Sequence, residues 1–213
     1  GVSVNMLLDG FGSQYLPRHY VSALRDAGVK LMFYRPKISP WTLKKNRLRR
    51  LHSKITIVDG HLAFVGGINI IDDATGNPAP SRPDFALQIS GPLLQNIGRA
   101  MDRQWQTLSR RPFLRRSQKP TATQINNVIT GSTQAALALR DNLLNRGQIE
   151  AAYISAIADA RKEITLAMAY FIPSRAILHA LFDAAARGVT VYLLLQGRIE
   201  YRLQHYASQS LYT

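Results

Sequence analysis

The sequence predicts an α/β protein, and three observations lead to that class. Apolar strand-length segments alternate with amphipathic helical ones from the first residues onward, the grammar of a sheet with helices packed on it. An Asp59-Gly60 dipeptide stands between two apolar runs and marks a hairpin. The third is an internal match: GVSVNMLLDG at residues 1–10 pairs with GVTVYLLLQG at residues 188–197, and after a one-residue shift Tyr15 and His19-Tyr20 pair with Tyr201 and His205-Tyr206. Two tandem copies of one unit are expected.

Taken in order, residues 2–8 predict a buried strand that runs into the turn-rich Asp9-Gly10-Phe11-Gly12. Residues 15–27 predict a helix that Gly28 ends as a C-terminal cap, and residues 29–34 the next strand. A basic stretch follows over 35–54, with Trp41 inside it and no acid. Residues 53–58 and 62–65 are the arms of the hairpin, 72–83 a Gly/Pro/Asn-rich loop and 85–90 a strand. Gly91-Pro92 then opens a helix to about residue 108, with Leu93, Leu94, Ile97, Met101 and Trp105 near helical spacing as core residues. Residues 110–123 lack periodicity and are the expected linker between a first repeat over 1–109 and a second over 124–213. The second is expected to hold a short strand at 124–129, helices at 149–160 and 174–187, and strands at 164–170 and 189–195.

The densest pattern is HSKITIVDGHLAFVGGIN over 52–69. It sets His52, Lys54, Asp59, the Gly66-Gly67 pair and Asn69 in fixed order around the hairpin. The two-residue period of a strand puts His52, Lys54 and Thr56 on one face and Ser53, Ile55 and Ile57 on the other, so an imidazole and an ammonium point the same way. A Gly pair beside an Asn lets backbone approach a ligand while an amide donor is aimed at it. A nucleophile or general base with donors beside it suits attack on a phosphodiester, whose charge builds on the equatorial oxygens.

These residues resemble the signature of the phospholipase D superfamily, H-x-K-x-x-x-x-D followed by Gly-Ser or Gly-Gly and Asn. AFVGGINIID is most similar to bacterial cardiolipin synthases, in which Gly-Gly is common. The resemblance implies a mixed sheet flanked by helices on both faces, in two tandem repeats whose motifs meet across a pseudo-two-fold axis. One histidine then forms a phosphohistidine, and the other protonates the leaving alcohol and activates the acceptor. It also implies His52 as one of that pair, Lys54 and Asn69 as phosphate clamp, Gly66 and Gly67 against the substrate, and Asp84 as the acid that orients the histidine. Asp59 completes the catalytic set, although an acid at a strand turn also fixes local geometry. No metal and no cofactor are expected, since the Lys and Asn donors of a complete site would neutralise the phosphate.

Only one such motif is present. The second copy keeps a strand and helix that the first would need ahead of Gly1, and it stops eight residues past His205, whereas the first copy reaches His52 thirty-three residues past His19. Both repeats are therefore expected to be incomplete, with the second motif supplied by a C-terminal part beyond Thr213 or by another chain.

Composition frames the choice of partner. With 213 residues, 46% of them hydrophobic and 19% charged, the chain is globular rather than disordered. The net charge of +14 favours anionic partners. Lys44, Lys45, Arg47, Arg49 and Arg50 form an anion-attracting rim that leads directly into His52, with Trp41 placed for a lipid interface. The absence of cysteine excludes disulfides, thiolate catalysis and Cys-ligated metals. The longest apolar run, 164–172, falls well short of the ~20 residues of a membrane span. The resemblance to cardiolipin synthases implies phosphatidyl transfer between two phosphatidylglycerols, giving cardiolipin and glycerol, and the charge and apolar pattern suit a protein peripheral to the membrane, expected on the cytoplasmic side of the cell membrane. Two alternatives stay open: a phosphodiesterase or nuclease of the same superfamily, its basic loop on a nucleic-acid backbone, and a non-catalytic module that binds anionic phosphate.

Overall fold

The computed structural model describes residues 1–35, 50–70, 84–109, 131–140, 145, 147–169 and 171–196. The chain divides into two compact units, Gly1–Leu137 and Ala138–Thr213, and both are α/β.

The first unit opens with strand β1 (Asn5–Asp9), helix α1 (Arg18–Asp26) and strand β2 (Lys30–Tyr34). β1 and β2 pair in parallel, from Asn5 opposite Lys30 to Asp9 opposite Tyr34. The helix starts three residues later than its apolar pattern suggests, because Pro17 holds the N-cap position and a proline disfavours helical geometry in the residue before it. It stops where expected. Gly28 takes a left-handed φ of 87°, its N–H bonds the Arg25 carbonyl, and the Val29 N–H reaches back to Leu24, which satisfies carbonyls the helix end would leave open.

The hairpin follows as β3 (Lys54–Val58) and β4 (Leu62–Gly66), with β5 (Ala86–Ile89) added antiparallel to β4. Asp59 and Gly60 carry positive φ of 48° and 69°, the backbone that primed hairpin turns require and that Asp and Gly tolerate best. Helix α2 (Leu93–Ser109) lies across one face of this sheet. Its Leu94 and Ile97 are fully buried against Ala63, with Ile55, Ile57, Val65 and Ile89 around them. Side chains so enclosed contribute about 1.5–3 kcal/mol each, so this seam holds the hairpin in place. Leu137 joins the same core, and the first unit therefore extends past the expected linker.

The second unit holds α3 (Gln148–Asp159), β6 (Glu163–Met168), α4 (Arg175–Ala186) and β7 (Thr190–Leu195), with β6 and β7 parallel. Ile157, Ile164, Phe171, Leu181, Ala184 and Val189 form its core. Ser174 caps α4 by accepting from the Ile177 N–H, and Gly188 at φ 85° ends it as Gly28 ends α1, the Val189 N–H returning to Ala184.

The described strands form three ladders, β1-β2, β3-β4-β5 and β6-β7, with parallel and antiparallel pairing both present. The first two are joined through side-chain bonds at the carboxyl end of β1. The loop at 72–83, the linker at 110–123, the strand at 124–129, the basic residues Lys44, Lys45, Arg47 and Arg49 with Trp41, and the second copies of the tyrosine and histidine, Tyr201, His205 and Tyr206, all lie outside the described residues.

Candidate active site

Strand register assembles the site. Lys54 faces Gly66 across β3-β4, and Gly66 faces Ala86 across β4-β5. The segment leading into β3, the segment leaving β4 and the segment leading into β5 therefore meet at one end of the sheet. They carry His52, then Gly67 and Asn69, then Asp84. Residues separated by thirty positions become neighbours because an antiparallel meander returns every second strand end to the same edge.

At that end the Lys54 Nζ lies 3.4 Å from His52 Nδ1 and donates to the His52 carbonyl at 2.9 Å. The H-x-K spacing therefore does more than share a face, since the ammonium pins the histidine's own backbone. His52 is exposed and Lys54 half-buried, while Ile55 and Ile57 turn to the core, as the two-residue period predicts.

The glycine pair explains itself sterically. A Cβ on Gly66 would run into the Phe85 carbonyl and the Ala86 backbone, with Ala86 Cα at 2.5 Å, so only glycine lets β5 close on β4 here. A Cβ on Gly67 would strike the Asp84 carboxylate, whose Cγ would lie at 2.9 Å. Gly67 is thus the residue that lets Asp84 sit beside the motif. Asp84 Oδ1 accepts from the Phe85 N–H at 2.7 Å, and the Gly67 N–H bonds the Phe85 carbonyl at 2.9 Å. Asp84 is at the site end but bonds its own strand, and among the described residues it makes no hydrogen bond to His52. Asn69 is exposed just past Gly67.

Asp59 stands apart. It occupies the turn at the far end of β3, and at about 3.3 Å per residue five steps of strand place it roughly 16 Å from Lys54. A carboxylate at that distance cannot share a phosphate with His52, and what this residue does in the structure is form the left-handed turn.

Asp9, read in the sequence only as part of a turn, belongs to the site's support. Its Oδ1 accepts from the Leu51 N–H at 3.0 Å, and its Oδ2 accepts from Gly12 N and Arg50 Nε, both at 2.8 Å. Arg50 Nη2 closes an ion pair at 2.7 Å, and its guanidinium lies over the Phe11 ring at 4.1 Å from the centroid. Arg50, expected on the anion-attracting rim, is paired to these partners while its side chain stays 40% exposed. Burial by itself would raise the Asp9 carboxyl, but the donated N–H groups of Leu51 and Gly12 and the Arg50 guanidinium outweigh it and hold the group below the usual carboxylate range. A depressed native value means that the stabilisation is present above the unfolded carboxyl's pKa of about 4 and is lost as pH falls through the lower native one. Melting temperatures followed from pH 6 to pH 2 should therefore show a small gap between parent and Asp9→Asn at pH 6 that closes below about pH 4; a gap that stays constant with pH would show that the charge of Asp9 is not what matters.

Comparison with known proteins finds relatives along the whole chain. The whole chain aligns at 33% identity with cardiolipin synthase B of Escherichia coli K12, over 51% of that protein's length. It aligns at 33% with cardiolipin synthase A of Pseudomonas fluorescens and at 30% with cardiolipin synthase 1 of Bacillus anthracis, covering all of this chain and 43% of each relative. Residues 153–213 match the family described as cardiolipin synthase, PLD-like domain. Over those residues the chain is similar to the phospholipase D-like family. The whole chain is similar to cardiolipin synthases and spans about half the length of the curated relatives it matches. The family model matches residues 153–213, whereas His52 and Lys54 lie in the first unit.

Proposed function

We propose that this chain supplies one histidine-lysine half of a phosphatidyltransferase site of cardiolipin synthase type. The observation that carries the reading is the convergence of His52, Lys54, the Gly66-Gly67 pair, Asn69 and Asp84 at one sheet end, in a chain similar along its whole length to cardiolipin synthases. In the first step a ring nitrogen of one histidine attacks the phosphorus of phosphatidylglycerol, the bond from phosphorus to the glycerol oxygen breaks, and the second histidine gives that oxygen its proton. In the second step the hydroxyl of another phosphatidylglycerol returns a proton to the second histidine and attacks phosphorus. Cardiolipin forms and the first histidine is freed. His52 takes one of the two roles and a second H-x-K motif takes the other, because a single ring cannot stand on both sides of phosphorus. Lys54 and Asn69 hold the equatorial oxygens, where donors count most as charge develops. Asp59 is assigned to the turn and Asp84 to the Gly67 side of the site.

The tandem-repeat organisation fits the same reading. The family match over 153–213 covers the copy whose Gly188-Val189 pair ends a helix and starts a strand, as Gly28-Val29 does in the first unit. The protein works at the cytoplasmic surface of the membrane; among the described residues no helix is long and apolar enough to cross it.

Two measurements test these assignments. Product analysis with phosphatidylglycerol vesicles, set beside nicking of supercoiled plasmid, separates the transferase from a nuclease: lipid product without nicking is expected, and nicking without lipid product would replace this reading. Replacing Lys44, Lys45, Arg47 and Arg49 by Ser should weaken binding to anionic vesicles by up to ~1 kcal/mol per charge, and the loss should shrink as salt rises. Unchanged vesicle affinity at low salt would remove the loop from the lipid site.

A further inference from the structure

His52 lies between two fixed points. On its C-terminal side Lys54 begins the ladder with β4 opposite Gly66, and its ammonium holds the His52 carbonyl. On its N-terminal side the Leu51 N–H is bound by Asp9, forty-two residues earlier at the carboxyl end of β1. Arg50 is held at its edge by the Asp9 carboxylate and on one face by the Phe11 ring. Removal of Asp9 would take the hydrogen bond from Leu51 and the ion pair from Arg50, both within two residues of His52.

We propose that Asp9 and Arg50 form a positioning pair that fixes where His52 presents its ring, an inference that rests on His52 being a reactive histidine of the site. Accessibility favours positioning over bulk stability. Arg50's side chain is 40% exposed, and ion pairs of that kind contribute at most about 1 kcal/mol to folding. Asp9, only 14% exposed, gathers two backbone N–H groups and one guanidinium onto a single carboxylate, and one of those N–H groups belongs to the residue next to His52. Such an arrangement contributes little to global folding and much to the local path of the chain. A displacement of about 1 Å at a reacting group costs up to ~10²-fold in rate, so a small loss of backbone definition at Leu51 would have a large effect on turnover.

The pair is tested by Asp9→Asn, Arg50→Gln and the double variant in the full-length protein, with amide hydrogen exchange followed at Leu51 and at Gly67. Gly67, whose N–H bonds the Phe85 carbonyl in the neighbouring strand, serves as the internal reference. Expected for Asp9→Asn are Leu51 exchange at least tenfold faster with Gly67 unchanged, kcat lower by tenfold or more, and KM within twofold of the parent. The double variant should be no worse than the worse single one, since both remove the same clasp. A kcat within twofold of the parent, a rise in KM alone, or unaltered Leu51 exchange would each overturn the proposal. His52→Asn measured in parallel keeps the two levels apart: an inactive His52→Asn with a fully active Asp9→Asn sinks the positioning pair alone, whereas an active His52→Asn sinks the reading of the site on which it rests.

Discussion

His52→Asn should reduce phosphatidyl transfer by the full-length protein at least ~10²-fold while leaving the fold unchanged. Asparagine retains a polar side chain but removes both ring nitrogens, and with them nucleophilic attack and proton transfer together. Nothing in the packing opposes the change. His52 is exposed, it precedes β3 rather than lying within it, and the bond it offers Lys54 Nζ at 2.9 Å comes from its backbone carbonyl, which the substitution keeps. Equal far-ultraviolet circular dichroism and equal melting temperature, set beside the lipid assay, would separate lost chemistry from lost structure. Activity within a few-fold of the parent would remove His52 from the reaction.

Gly66→Ala should produce the largest loss of stability of any single methyl added to the motif, about 1–3 kcal/mol by analogy with overpacked cores. The added carbon meets backbone, at 2.5 Å from Ala86 Cα and against the Phe85 carbonyl, and backbone in a ladder cannot rotate away. β5 must separate from β4 or the pairing of Gly66 with Ala86 must slip. Either movement carries Asp84 off the site. Gly67→Ala provides the contrast, because what it meets is the Asp84 carboxylate, a side chain that can turn at the expense of its bond to the Phe85 N–H. Urea denaturation should thus rank Gly66→Ala well below Gly67→Ala, and equal stabilities would show that β5 yields more readily than its register suggests.

Much of this could be read in the sequence where the signal is local. The Asp59-Gly60 turn, the core stripe of Leu94, Ile97 and Trp105, and the helix stops at Gly28 and Gly188 each depend on residues a few positions apart, and each lies where periodicity and turn chemistry place it. The convergence of His52 with Gly67 follows from the hairpin for the same reason. What sequence did not show depends on distance along the chain. Asp9 followed by Gly10 reads as a turn, and nothing in that dipeptide tells that its acceptor oxygens serve Arg50 and Leu51 more than forty positions later. Arg50 likewise reads as one more cation of a basic run, since composition does not distinguish an unpaired charge from one paired to a carboxylate. The ~16 Å between Asp59 and Lys54 is hidden in a linear motif, which records order but not the straightness of the strand between. The pairing of the described strands into β1-β2, β3-β4-β5 and β6-β7 was also out of reach, because strand propensity does not specify which edges pair.

The most direct test of phosphatidyl transfer through this site is the stoichiometry of products from phosphatidylglycerol vesicles treated with the full-length protein, with glycerol and cardiolipin quantified in the same sample. One glycerol released per cardiolipin formed, both lost together in His52→Asn, is the expected result. Glycerol accompanied by phosphatidic acid in place of cardiolipin, or cardiolipin formation that persists in His52→Asn, would contradict it.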